Sequence, residues 1–212
     1  MKLLHFSELN NYIELRSQLY IIKIENKDLY RNLCFNLLST LTFSINNEIV
    51  DINKKGIVLF NPFEIKLNDK KFLNHLYKKM ESNINDECLI ELNNIEMNSM
   101  KLFEYLSMKS DCDITYNHKI DFSKFLASFD LKFDENKNIT YIELLSRYCK
   151  LVKELLKVDL IFCYGLSNVL KEDELLELNY LLSQLDLNII DIIFGNNDAI
   201  KDVVVDKDWC II

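Results

Sequence analysis

Apolar residues gather in short runs along the chain: LYIIKI (19–24), GIVLF (56–60), DLIFCY (159–164), LNIIDIIF (187–194) and VVVDKDWCII (203–212). These runs are rich in Ile, Val and Phe, and several are apolar on both faces. That is the pattern of strands covered by helices on either side. A helical stretch, KDLYRNLCFNLLST (27–40), lies between the first two runs, and KEDELLELNYLLSQL (171–185) lies between the third and fourth. Strand, helix and strand in succession predict parallel β-α-β units.

The middle of the chain follows another rule. From about Asp69 to Lys157 the apolar spacing is helical and almost no run is strand-like. In KKFLNHLYKKM, Phe72, Leu76 and Met80 recur every four residues with Leu73 and Tyr77 beside them, while Lys71, His75 and Lys78 fall on another face. Thr140 and Glu143 stand at capping-box spacing, so a helix begins there. The expected architecture is α/β, a parallel-sheet head built from residues 1–68 and 150–212. An inserted α-helical leg of residues 69–149 would project from it. A single proline and three glycines favour long helices and few short hairpins.

At 212 residues and 49% apolar the chain can bury a real core. Its apolar runs fall far short of the roughly 20 residues of a membrane span. His5 and Glu8 interrupt the apolar patch at the N-terminus, where a signal peptide would have an unbroken one. The expectation is a cytoplasmic protein without a membrane partner. The six cysteines form no C-x-x-C pair, which argues for reduced packing cysteines over a zinc site. A formal charge of −8 argues against a generic nucleic-acid binder, but six of those eight charges fall in residues 150–212. A local basic surface is compatible with that distribution.

A phosphate-binding loop needs glycines, so that successive N–H groups converge on the anion, and a lysine for the outer phosphates. IENKDLY (24–30) has Lys27 but no glycine, and CYGLSN (163–168) lacks both the dinucleotide and the nucleophile-elbow spacing. Gly165 is therefore read as a turn residue, and no nucleotide is expected. DCDITYNHKIDF (111–122) opens like a calcium loop but has Tyr116 and Phe122 where an EF-hand has Gly and Glu. Asp111 and Asp113 are candidate oxygen ligands, and an acidic turn is the plainer reading. Nothing selects His5, His75 or His118 as an acid or base. Lysines form the better lead: Lys70, Lys71, Lys78 and Lys79 cluster on one predicted helix, and Arg147, Lys150, Lys153 and Lys157 spread over about 120° of the next long one. Solvated faces of amphipathic helices explain the same pattern without function.

The C-terminal third, LIFCYGLSNVLKEDELLELNYLLSQLDLNIIDIIF followed by VVVDKDWCII, resembles the end of the type II-A CRISPR-associated spacer-acquisition proteins. Asp206, Asp208 and Trp209 match the family's terminal D-x-D-aromatic segment. A weaker likeness continues through DITYNHKIDFSKFLASFDLKF, TYIELLSRYCKLVKELL and the N-terminal LHFSELNNYIELRSQLYIIKIEN. The resemblance implies a head related to degenerate P-loop ATPases and a homotetrameric ring that encircles double-stranded DNA ends through a lysine-lined hole. It also implies calcium support of the ring and action alongside the CRISPR integrase and the interference nuclease, in antiviral defence. The DNA-binding candidates on this reading are Lys70, Lys71, Lys78, Lys79, Lys119, Lys132 and Lys150. Thr115 and Asn117 stand where relatives are acidic, so only weak calcium binding is expected, through Asp111 and Asp113. Lys171 replaces the relatives' threonine N-cap, which breaks that capping box although Glu174 remains. The alternatives are a degenerate nucleotide-binding or phosphotransfer enzyme on the same head, and a module that binds only protein.

Overall fold

The computed structural model describes residues 2–7, 12–46, 48–112, 114–117, 119–135, 138–195 and 201–212. In chain order the elements are β1 (Lys2–Phe6), β2 (Ile13–Leu15), β3 (Leu19–Ile24), α1 (Lys27–Thr40), β4 (Leu41–Ile45), β5 (Glu48–Val50), α2 (Ile52–Lys55) and β6 (Gly56–Leu59). Next come α3 (Lys70–Ser82), α4 (Asp86–Met108), α5 (Phe122–Ser128) and α6 (Tyr141–Glu154), and the chain ends with β7 (Leu160–Tyr164), α7 (Glu172–Leu185), β8 (Asn188–Phe194) and β9 (Val203–Val205). They form two compact units, Met1–Leu67 with Asn136–Ile212, and Asn68–Glu135.

The first unit is α/β. Its main sheet has five strands in the order β6-β7-β8-β3-β9, and every pairing in it is parallel. Register places Tyr20, Ile22 and Ile24 on one face with Ile190, Ile192 and Phe162. That face joins Leu29, Leu33 and Leu37 of α1 and Leu4, Phe6 and Phe43 of a second sheet in one core. The opposite pleat carries Ile161, Cys163, Ile189 and Ile193, all buried. Helix α7 packs on β3 and on α6, and both helices bury an apolar side, Leu175, Leu178 and Leu182 on α7 and Leu145, Cys149 and Val152 on α6. Burial on both faces explains why these strands read as unbroken apolar runs.

The second sheet of this unit is a departure. Strands β2-β1-β4-β5 pair antiparallel throughout, against the expectation of few short hairpins. The residue pair Asn46–Asn47 was the available signal. Asn46 sits at φ +50, the left-handed region that asparagine tolerates and that tight hairpins use. The run 203–212 is likewise no single strand. β9 stops at Val205, Asp206 Oδ1 accepts from the N–H groups of Asp208 and Cys210, and Trp209 turns at φ +67. The chain then folds back, so that Val204 and Ile212 exchange two backbone hydrogen bonds of 3.1 and 2.9 Å. The match at Asp206, Asp208 and Trp209 is thus a turn that covers the open edge of the parallel sheet.

A further correction concerns α6. The expected boundary put residues up to 149 in the helical insertion, but the whole helix belongs to the first unit. It opens at the expected capping box, with Glu143 N–H donating to Thr140 Oγ1 and Thr140 N–H donating to Glu143. Ile142, Leu145, Tyr148, Cys149 and Val152 are buried, and Tyr141 donates to the Pro62 carbonyl at 2.7 Å. Helical periodicity shows that a face is buried without showing in which core.

The second unit holds α3, α4 and α5. Asp69 caps α3 by accepting from Lys71 N–H at 2.8 Å, and the helix buries Phe72 and Tyr77. Tyr77 donates to the Leu131 carbonyl, and Asn68 exchanges two hydrogen bonds with the backbone of Phe133. These contacts tie the first helix to the segment after α5. Helix α4 is 23 residues long, is capped by Asn85, and has no buried residue. Among the described residues no helix is long and apolar enough to cross a membrane.

Candidate nucleic-acid interface and the carboxyl edge of the sheet

In parallel α/β sheets, ligands bind beyond the carboxyl ends of the strands, so the turns there decide whether a nucleotide can be held. After β3 the site at the start of α1 is filled by the chain itself. Asn26 Oδ1 accepts from the N–H groups of Asp28 and Leu29, both at 3.0 Å, and its amide donates to the Lys207 carbonyl at 2.9 Å. Asp28 adds negative charge in the first turn, where a phosphate would otherwise profit from the helix dipole. Lys23, 4% exposed, is paired with Glu25 at 3.1 Å and lies inside the sheet.

The turn after β7 has a similar internal occupant. Gly165 takes φ +75, and Leu166 and Ser167 donate their N–H groups to the two oxygens of Asp191 at 2.9 and 2.7 Å. Asp191 is fully buried, and burial raises its carboxyl above the usual range despite those bonds. A carboxylate of β8 therefore occupies the nest of amides that an external anion would need. Around this edge the rings of Phe60 and Tyr164 stack at 5.6 Å, and Tyr30 lies between Tyr164 and Phe194. Burial pushes Tyr30 up to about 12 and Tyr164 higher still, and Tyr164 donates to the Leu33 carbonyl. Both phenols stay protonated at neutral pH.

The lysines singled out in the sequence separate into groups. Lys70, Lys71, Lys78 and Lys79 are exposed on α3, and among the described residues none makes an ion pair. At 100° per residue Lys71 and Lys78 lie about 20° apart, on the side away from buried Phe72. Lys119 is exposed in the segment before α5. Lys132 is exposed but held by Asp130. Lys150 is exposed on α6, in the first unit. The expected stripe on that helix is broken. Lys153 is held by Asp159 at 2.9 Å and by the Asp186 carbonyl, and Lys157 lies past the helix end at φ +56.

Asp111 is exposed, while Asp113 and His118 lie outside the described residues. Asp121, the next carboxylate along the chain after Asp113, is committed elsewhere. It caps α5 by accepting from Lys124 N–H and pairs with the Lys124 ammonium at 3.1 Å, contacts that hold its carboxyl below the usual range. Among the described residues no three His, Cys, Asp or Glu side chains gather as a metal site. His75 Nδ1 lies 2.9 Å from the Lys71 carbonyl, and His5 packs on Tyr12. All six cysteines are free. Cys149 and Cys163 are buried as packing residues, and burial pushes Cys149 up to about 12, whereas Cys88, Cys112 and Cys210 are exposed.

Within the second unit, Met80, Ile84, Leu92, Ile95, Phe122 and Phe125 line an apolar groove of about 830 Å³ between the three helices, with Glu87 and Glu91 among its polar lining. The sequence gives little warning of this groove, because apolar residues on several sides of α4 blur the periodicity that marks a buried face. No protein-family model matches the chain, and a search of curated proteins finds no match to it.

Proposed function

We propose that this is a non-enzymatic, double-stranded DNA-binding protein that assembles as a homotetrameric ring, loads on DNA ends and supports CRISPR spacer acquisition. The observation that carries the proposal is the unpaired lysine face of α3 on a chain of net charge −8. Confining positive charge to one lining lets an acidic protein neutralise phosphates where it touches DNA and nowhere else. The filled turns at Asn26 and Asp191 support the reading of the head as a P-loop relative without nucleotide. The resemblance of the C-terminal third supplies the biological setting: a cytoplasmic protein whose partners are its own copies, the CRISPR integrase complex and the interference nuclease. Calcium enters only as a weak ligand involving Asp111 and Asp113.

Binding to linear and to covalently closed circular duplex, measured across salt, tests the proposal. A ring that threads from an end binds the linear form and discriminates against the closed circle, without sequence preference. Its log–log salt slope is about −0.9 per phosphate neutralised. Charge removal at Lys71, Lys78 and Lys119 together lowers affinity for all sequences alike and flattens the slope by about one unit for each phosphate left unneutralised. Equal, stable binding to both DNA forms defeats threading, and an unchanged slope moves the interface elsewhere. The enzymatic alternative makes its own prediction. ATP with magnesium at about 100 times its dissociation constant adds roughly 2.7 kcal/mol of stability.

A further inference from the structure

We infer that α4 is the docking surface for a second copy of this chain, pairing antiparallel about a two-fold axis at Ser99. The inference rests on the proposed self-association and states which surface performs it. A 23-residue helix spans about 34 Å, and α4 buries none of its residues within its own chain. Ile95, Leu102 and Leu106 are 36%, 54% and 50% exposed. Together with Cys88, Leu92 and Ser99 they recur at alternating four- and three-residue spacing, the seam by which two helices interlock. The seam continues out of the groove of α3, α4 and α5, which Cys88, Leu92 and Ile95 line.

Charge selects the occupant and its direction. The first half of the helix, residues 86–97, carries Asp86, Glu87, Glu91 and Glu96 and no basic residue. The second half and its cap carry Lys101 and Lys109 with only Glu104. A parallel copy would set acid against acid, whereas an antiparallel copy brings each acidic half to a basic one. Centring the pair on Ser99 sets Leu92 against the partner's Leu106 and brings Ile95 within one residue of level with the partner's Leu102. Glu91 then lies on the same flank of the seam as the partner's Lys109 and close to level with it. The smallest side chain of the seam falls at the axis, where the two backbones approach most closely.

The test uses the full chain with Cys88, Cys112 and Cys210 changed to Ser, so that an introduced thiol has no exposed native competitor. Ser99→Cys should form a covalent dimer under mild oxidation at least tenfold faster than Met97→Cys, whose exposed side chain points away from the seam. Glu87→Lys with Glu91→Lys should weaken self-association about tenfold in sedimentation, and adding Lys101→Glu with Lys109→Glu should restore it. Crosslinking no faster than in Met97→Cys, or no restoration by the combined charge reversal, overturns the inference. If that protein still sediments as an oligomer that binds duplex, the ring proposal stands without this surface. A Ser99→Cys crosslink in protein that ignores duplex upholds the pairing and removes the DNA-binding reading alone.

Discussion

The two units use apolar residues in opposite ways. In the first, the five parallel strands are closed on both faces, and Ile22, Phe162, Ile190 and Leu182 have no exposed surface. In the second, α3 buries Phe72 and Tyr77, while α4 leaves Ile90, Met97, Tyr105 and Met108 more than half exposed. Apolar content alone therefore does not tell a finished core from a surface awaiting a partner. The first unit has two layers of helices and sheet to close over its strands. The second has three helices, too few to surround the longest of them.

The largest effect should come from breaking the finished core. Phe162→Ala removes a fully buried ring between β6 and β8 and should cost about 3–5 kcal/mol in urea unfolding. Leu102→Ala on α4 should cost about 0.5 kcal/mol or less where the chain is monomeric. Equal losses at the two sites would erase the contrast between the units.

Asp191→Asn comes next. The amide keeps the shape but turns one acceptor into a donor facing the N–H of Leu166 or Ser167. Leaving one buried donor unpaired should cost about 1–3 kcal/mol, with hydrogen exchange accelerated at residues 165–170. A neutral result would mean that the turn after β7 does not depend on its internal anion.

The helix caps give a smaller and more even comparison. Thr140→Ala on α6 and Asp121→Ala on α5 should each cost about 1 kcal/mol. The first loss should appear in the unfolding of the sheet unit and the second in local opening of the helical one. Amide exchange resolved by segment separates them.

The smallest effect depends on pH. Burial alone would raise the carboxyl of Asp159, but Lys153 and then Lys55 hold it below the usual range. A carboxyl depressed in the folded state contributes stability that is complete above its unfolded value near 3.9 and is lost as pH falls through the folded value. With both partners partly exposed the contribution is about 0.5–1 kcal/mol. Asp159→Asn should cost that much at pH 7, and the gap to the native protein should close as pH falls through the folded value. A gap that persists in acid would assign the effect to hydrogen-bond geometry instead of charge.

Several elements are determined locally and could be read from the sequence alone. The strands around Ile22, Val58, Phe162 and Ile190 follow from unbroken β-branched runs, and α1 occupies residues 27–40 as its spacing predicts, though with a kink at Asn36 (φ −129, ψ 24). The Thr140–Glu143 box forms as written, because both partners lie within one turn. At Lys171 only half a box survives: Glu174 accepts from Lys171 N–H at 2.9 Å, while the lysine side chain has no acceptor to return. The outward face of α3, with Lys71 and Lys78 opposite the side that buries Phe72 and Tyr77, was equally legible.

What only the tertiary structure decided are the relations between distant residues. Periodicity could not assign α6 to the sheet unit, since an amphipathic helix fits any core that matches its face. It could not show that Lys153 is consumed by Asp159, that Asp121 caps α5, or that Asp191 fills the turn after β7 from 24 residues away. Nor could it place β9 beside β3, which lies about 180 residues earlier in the chain. Local patterns persist because neighbours along the chain meet whatever the fold. Partners far apart in sequence meet only once the sheet has set its strand order, and that order decides which charges remain free to bind.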